Sequence, residues 1–171
     1  MNAIGDGDTF VIRESVSTDL EAIERITLNV FGPSTFEKNI EDIYGTIAGR
    51  DWKWRKRRHL ELDLSDEDGQ CLVAVLEGDV KGYVTIRLDQ ESCIGVIPNL
   101  AVKESAAGLG LGGKLIEAAL DVMKKAGMEL ARIETLEQNQ IGQHLYPKMG
   151  FKEFARQIYY AMDLRSNDEH L

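Results

Sequence analysis

Apolar residues recur along this chain with two periods, and the switching between them lays out its elements. Thr9–Ser15 reads as a short strand. A helix follows, capped by Ser17 or Thr18, with Leu20, Ile23, Ile26 and Val30 on one face. Gly32 and Pro33 break it, and a second helix begins at Ser34 or Thr35, with Phe36, Ile40, Ile43, Tyr44 and Ile47 spaced for burial. Ser65–Gln70 is a polar loop. Cys71–Glu77 and Lys81–Leu88 are strands joined at Gly78-Asp79, a hairpin signal. After a turn at Asp89–Ser92 comes the central strand, Cys93–Val102, where Pro98 and Asn99 interrupt a regular ladder and predict a bulge. Leu111, Leu115, Ile116, Ala119, Leu120 and Met123 line one face of a helix that ends at Gly127. Leu130–Leu136 is a strand, Asn139–Met149 a helix closed by Gly150, and Phe151–Arg156 with Ile158–Asp163 a terminal hairpin. The order β-αα-βββ-α-β-α-ββ predicts a three-layer α/β/α sandwich around a mixed, mostly antiparallel sheet of about six or seven strands.

Composition narrows the setting. A length of 171 residues suits one domain over 1–171, with tails at about 1–8 and 166–171. A net charge of −9 and a pI near 4.9 speak against binding nucleic acid over the whole surface. Cys71 and Cys93 have no metal-like spacing, so a reduced cytoplasmic protein without a metal is expected. No apolar run reaches a membrane span, and the acidic start is no signal peptide. Trp52–His59 (WKWRKRRH) stands apart, with five Lys/Arg and no acid. It reads either as a basic helix end or loop with half-buried tryptophans, or as a patch that steers an acidic partner.

The chemistry concentrates in Ile97–Leu120, where a strand leads through glycines into an amphipathic helix. Backbone N–H groups at such a helix start suit phosphate oxygens. Gly108, Gly110 and Gly113 match GxGxxG, with Glu134 or Glu137 at the distance of a dinucleotide-binding acid, but Lys103–Ala107 intervene after the strand. Gly108, Gly113 and Lys114 nearly match GxxxxGK[ST], but Leu115 stands where a hydroxyl must hold magnesium.

A longer frame fits better. NLAV at Asn99–Val102 with AGLGLG at Ala107–Gly112 resembles motif A of the GCN5-related N-acetyltransferase (GNAT) superfamily, although Ala107 replaces its usual Gln or Arg. NQIGQHLYPKMGF at Asn139–Phe151 resembles motif B, matching at Asn139, Tyr146, Gly150 and Phe151. The resemblance covers about Gln70–Leu164 and implies an acetyl-CoA-dependent N-acetyltransferase acting on a primary amine by direct attack in a ternary complex. It places the carbonyl-polarising N–H at Leu100 and a pantetheine contact at Val102, with Ala101 between them. The pyrophosphate falls to Ala107, Gly108, Leu109, Gly110, Leu111, Gly112, Gly113 and Lys114. Asn139 holds the cofactor arm, and Tyr146 is the general acid beside the sulfur. Glu134, in the strand before motif B, is the expected base, with partial burial raising its pKa. Glu137, Cys93 and His144 are weaker candidates. The expected partners are acetyl-CoA and an amine, with no nucleic acid and no membrane, and a homodimer is left open. A non-catalytic acyl-CoA sensor on the same fold is the alternative function, and a nucleotide-dependent enzyme is a third.

Overall fold

In the computed structural model, which describes residues 3–4 and 8–165, the strand periods build one seven-stranded sheet. Ala3–Ile4 (β1) and Asp8–Glu14 (β2) lead into Leu20–Phe31 (α1), Phe36–Tyr44 (α2) and Trp52–Ser65 (α3). Gly69–Leu76 (β3), Asp79–Asp89 (β4), Ile94–Ile97 (β5) and Leu100–Val102 (β6) follow. Leu111–Lys125 (α4), Leu130–Ile133 (β7) and Gln140–Lys148 (α5) close the order. Neighbours run β1-β2-β3-β4-β5-β7, and β6 pairs with β4 beyond the end of β5. Among the described strands only β5 and β7 run parallel, joined through α4.

Strand alternation divides the core in two. Leu72, Ala74, Val84 and Ile86 face α4, where Leu111, Leu115, Ala119 and Met123 are buried against them. Cys71, Val73 and Tyr83 face the other way, onto Ile23 and Ile26 of α1 and Leu60 of α3. Tyr83 is fully buried; the Thr27 hydroxyl donates to Ile23 O at 2.7 Å and accepts from the Tyr83 hydroxyl at 2.6 Å. On the α4 side, a Cβ at Gly95 would lie 2.6 Å from the Met123 sulfur, so a side chain there would force Met123 to repack.

Two expectations need correction. Trp52–Ser65 is a full helix of 14 residues rather than a basic end or loop. Asp51 caps it by accepting from the Trp54 N–H at 2.8 Å. The second correction is the terminal hairpin, which is absent: residues 151–163 form no strand. Side chains hold this segment instead. Tyr44 Oη donates to Ala161 O, and Arg165 donates to the carbonyls of Thr46 and Tyr44. Of the expected tails, Ala3–Ile4 and Asp8 are strand residues, whereas 166–171 lies outside the described residues.

Candidate active site

The bulge expected at Pro98–Asn99 is present and parts two strands. Between the pairs Arg87↔Val96 and Val84↔Leu100, β4 advances three residues while its partner advances four. One extra residue therefore sits on the partner strand. Before the bulge, β5 pairs with both β4 and β7; after it, β6 pairs with β4 alone. Thr85 N donates to Asn99 O at 2.9 Å and Lys103 N to Lys81 O at 2.7 Å. Alternation then turns the N–H groups of Leu100 and Val102 away from β4, into the gap beside β7, with Ala101 pointing back.

Asn99 replaces the lost ladder bonds with its own side chain. Its N–H and Nδ2 both donate to Thr85 Oγ1 at 3.0 Å, and Nδ2 also donates to Asp63 Oδ2 at 2.8 Å. Lys56 Nζ donates to Asn99 Oδ1 at 3.1 Å. Every polar group of this buried residue is satisfied, which rigidifies the backbone just before Leu100.

At the start of α4 the glycines do different jobs. Gly108 and Gly110 have φ of +81° and +73°, a left-handed turn that a side chain would strain, and open space surrounds both. Gly110 is the N-cap and supplies no side-chain acceptor, while Lys114 N already bonds Gly110 O. The amides of Leu111, Gly112 and Gly113 therefore lack intrahelical partners and carry the positive end of the helix dipole. Gly112 and Gly113 face α5: a Cβ on them would meet Leu145 at 3.2 Å and Met149 at 3.4 Å. Among the remaining residues expected here, Ala107 ends a short 3-10 turn, Leu109 is exposed, and Lys114 Nζ pairs with Glu117 at 2.8 Å.

Helix α5 brings in Asn139 and Tyr146. The Asn139 side chain caps the helix, accepting from Gly142 N at 3.1 Å and donating to Thr135 Oγ1 at 2.8 Å. Tyr146 is half-buried, edge-on to Phe151, and burial pushes its pKa further up from the ordinary phenol value. Glu134 follows Ile133, which registers with Ile97, so it stands across the gap from the bulge. The burial expected for it is not found: its side chain is 63% exposed and lies 3.1 Å from Arg132. Glu137 and His144 are exposed, and Cys93 lies at the opposite end of β5 from the bulge. Burial pushes the Cys71 thiol up to about 11, which keeps it out of nucleophilic chemistry.

Sequence reasoning missed a polar group on α3. Lys56 and Asp63, two turns apart, both reach Asn99 from one face of the helix. His59 lies between them, its Nδ1 2.5 Å from Glu37 Oε1 of α2, and the Thr35 hydroxyl donates to the other oxygen of that buried carboxylate. Two further cations of the run are tied to α1 and α2, Arg55 by Glu41 and Arg57 by Glu24, while Lys53 and Arg58 are exposed. The recoverable signal was the spacing Trp52, Lys56, Leu60, Asp63, a helical face that the surrounding charges obscured.

Comparison with known proteins gives the family. The profile of the Acetyltransferase (GNAT) family matches residues 36–151, and the chain belongs to that family. It is 30% identical to N-alpha-acetyltransferase 30 of Schizosaccharomyces pombe over 98 residues, covering 57% of this chain and 61% of the relative. It is 29% identical to an N-alpha-acetyltransferase of Sulfurisphaera tokodaii over 111 residues, 58% of this chain and 66% of that one. The matches thus span just under two thirds of these relatives. Aminoglycoside N-acetyltransferase AAC(6')-Iy, solved in complex with CoA, shares the fold with a TM-score of 0.66 at 18% identity, over 94% of this chain and 99% of that one. Among the described residues, no helix is long and apolar enough to cross a membrane.

Proposed function

We propose that this GNAT family member transfers an acetyl group from acetyl-CoA to a primary amine within a ternary complex. The observation that carries the reading is the bulge, which turns the Leu100 and Val102 amides into an unpaired gap ahead of the uncapped start of α4. Amides fixed in this way stabilise a thioester carbonyl as negative charge develops on it, with no reorganisation at the moment of reaction. Leu100 takes the carbonyl, and Val102, with Ala101 between them, receives the pantetheine arm like an added strand. The segment Ala107–Lys114 cradles the pyrophosphate, with the amides of Leu111–Gly113 at its centre.

Tyr146 supplies the proton that the departing thiolate needs, a role that suits a neutral phenol. Asn139 holds the turn that delivers it. Glu134, exposed beside the gap, draws the acceptor ammonium toward the thioester. The relatives named above act on α-amines and aminoglycosides, so both belong in the first panel of acceptors. Two free cysteines suit a reducing compartment, and we place the protein in the cytoplasm on that ground.

The test is calorimetry with acetyl-CoA, with and without magnesium, followed by thiol release with a free-amine peptide, an aminoglycoside and spermidine. Magnesium-independent binding and release with at least one amine are expected. Binding without release would make the protein an acyl-CoA sensor. Absence of binding would overturn the assignment.

A further inference from the structure

Glu37 and His59 form a pair that the reaction above has not used. The Glu37 side chain is 2% exposed, yet one oxygen accepts from the Thr35 hydroxyl and the other lies 2.5 Å from His59 Nδ1. A carboxylate accepts, so Nδ1 carries the hydrogen, and in the neutral ring the lone pair is then on Nε2. The His59 side chain is 45% exposed, so that lone pair is accessible. An imidazole held by a buried acid with its far nitrogen open is the arrangement of an oriented base.

Its position in the fold points the same way. On α3, His59 is three residues after Lys56 and four before Asp63, which places it on the shoulder of the face that reaches Asn99. Asn99 immediately precedes Leu100, the proposed carbonyl donor. Arg132 projects from β7 on this same side of the sheet, since Ala131 and Ile133 pack toward α4, and Glu134, just past the strand end, pairs with it at 3.1 Å. An acceptor drawn to Glu134 on this side of the sheet would lie between β7 and α3, the helix that carries His59.

We propose that His59, oriented by Glu37, takes the proton from the acceptor ammonium. This rests on the acetyltransferase reading. The ammonium gives one proton to His59 Nε2, which passes it to solvent. The neutral amine then attacks the thioester carbon, the N–C bond forms and the C–S bond breaks. The thiolate takes the Tyr146 proton and leaves as the thiol, and the second nitrogen proton returns to Tyr146 through solvent, so one proton is produced per turnover. Glu37 is a positioning residue. His59 touches Glu37 and Phe36 of α2; Lys56 and Asp63 lie on the same side of α3, and Tyr159 of the C-terminal segment stacks on the Phe36 ring.

The experiment uses acetyl-CoA with the peptide, aminoglycoside and spermidine panel. His59→Asn keeps an N–H for Glu37 and removes Nε2. It is expected to bind acetyl-CoA as wild type and lose about 10²-fold or more in kcat/KM at pH 7. The loss should shrink toward pH ~10, where the amine arrives neutral. His59→Ala should recover turnover when imidazole is added, and Glu37→Gln should displace the acidic limb of the pH–rate profile. In wild-type protein, diethylpyrocarbonate modification mapped to His59 should abolish turnover, with saturating amine protecting it, a readout that needs no folded variant. Wild-type rates in His59→Asn, a deficit constant with pH and without imidazole rescue, or full activity after modification at His59 would each overturn the inference alone. Failure of the wild type with every amine would overturn the acetyltransferase reading with it.

Discussion

Asp19 is a buried carboxylate whose oxygens are both occupied. Arg13 reaches it twice, at 2.6 and 3.0 Å, and the Val16 N–H donates to it at 2.8 Å. The Arg13 hydrogen bond outweighs the upward push of burial and, with the Val16 amide, holds the pKa below the ordinary carboxylate range. A carboxylate depressed in the native state binds its proton more readily in the unfolded chain. Its stabilisation is complete above the unfolded value of ~3.9 and is lost as pH falls through the lower native value. Asp19→Asn should cost roughly 1–2 kcal/mol at pH 7 and flatten the acid limb of stability in urea melts at falling pH. The low figure reflects Arg13, which is 39% exposed and regains water when released. An unchanged acid limb would assign the pH dependence to other carboxylates. Tyr146 makes a catalytic prediction at the same scale. Removing its hydroxyl in Tyr146→Phe leaves the edge contact with Phe151 and acetyl-CoA affinity in place and lowers turnover about 10²–10⁴-fold. Wild-type turnover in that variant would mean the thiolate leaves unaided.

At the scale of elements, the start of α4 separates cofactor binding from catalysis. Gly110→Val forces a β-branched residue to φ +73° at the N-cap, straining the turn by about 1–2 kcal/mol. It should weaken acetyl-CoA binding by roughly tenfold in calorimetry. Gly112→Val acts through α5, because its Cβ starts 3.2 Å from Leu145, the residue before Tyr146. It should lower kcat more than it weakens binding. Equal effects of both on binding alone would show that α5 does not depend on this contact. Both glycines were legible as a motif, whereas their division of labour needed the packing of α5. Helix α3 shows the opposite case. Its stripe toward the sheet carries Lys56 and Asp63 among Trp52 and Leu60, so no apolar period announces it. The groups that satisfy its charges, Asn99, Glu37 and Glu24, lie far away in sequence. Motifs that a ligand reads through local backbone survive in the sequence; polar pairs between distant helices do not.

At the scale of the whole molecule, the sheet interior and the C-terminal segment differ in how their backbone is held. β3 and β4 lie centrally, each laddered on both sides, and supply much of the buried core. Residues 151–163, where a hairpin was expected, carry Phe154, Ile158, Tyr160 and Met162 at two- or four-residue spacing, yet these residues are 74–90% exposed. The segment is held by the Tyr44 hydroxyl on Ala161, the stack of Tyr159 on Phe36, and Arg165 on the carbonyls of Tyr44 and Thr46. Such anchors release locally without opening the core. Amides of 152–160 should therefore exchange with deuterium near the unprotected rate, while those of β3 and β4 exchange only on global unfolding. Arg165→Ala should speed exchange at 161–163 and leave the β4 amides unchanged. Protection of 152–160 comparable to that of β4 would mean that this segment is laddered to a strand in solution. The open edge of β7, where Leu130 is 57% exposed, would then be the place to look for its partner.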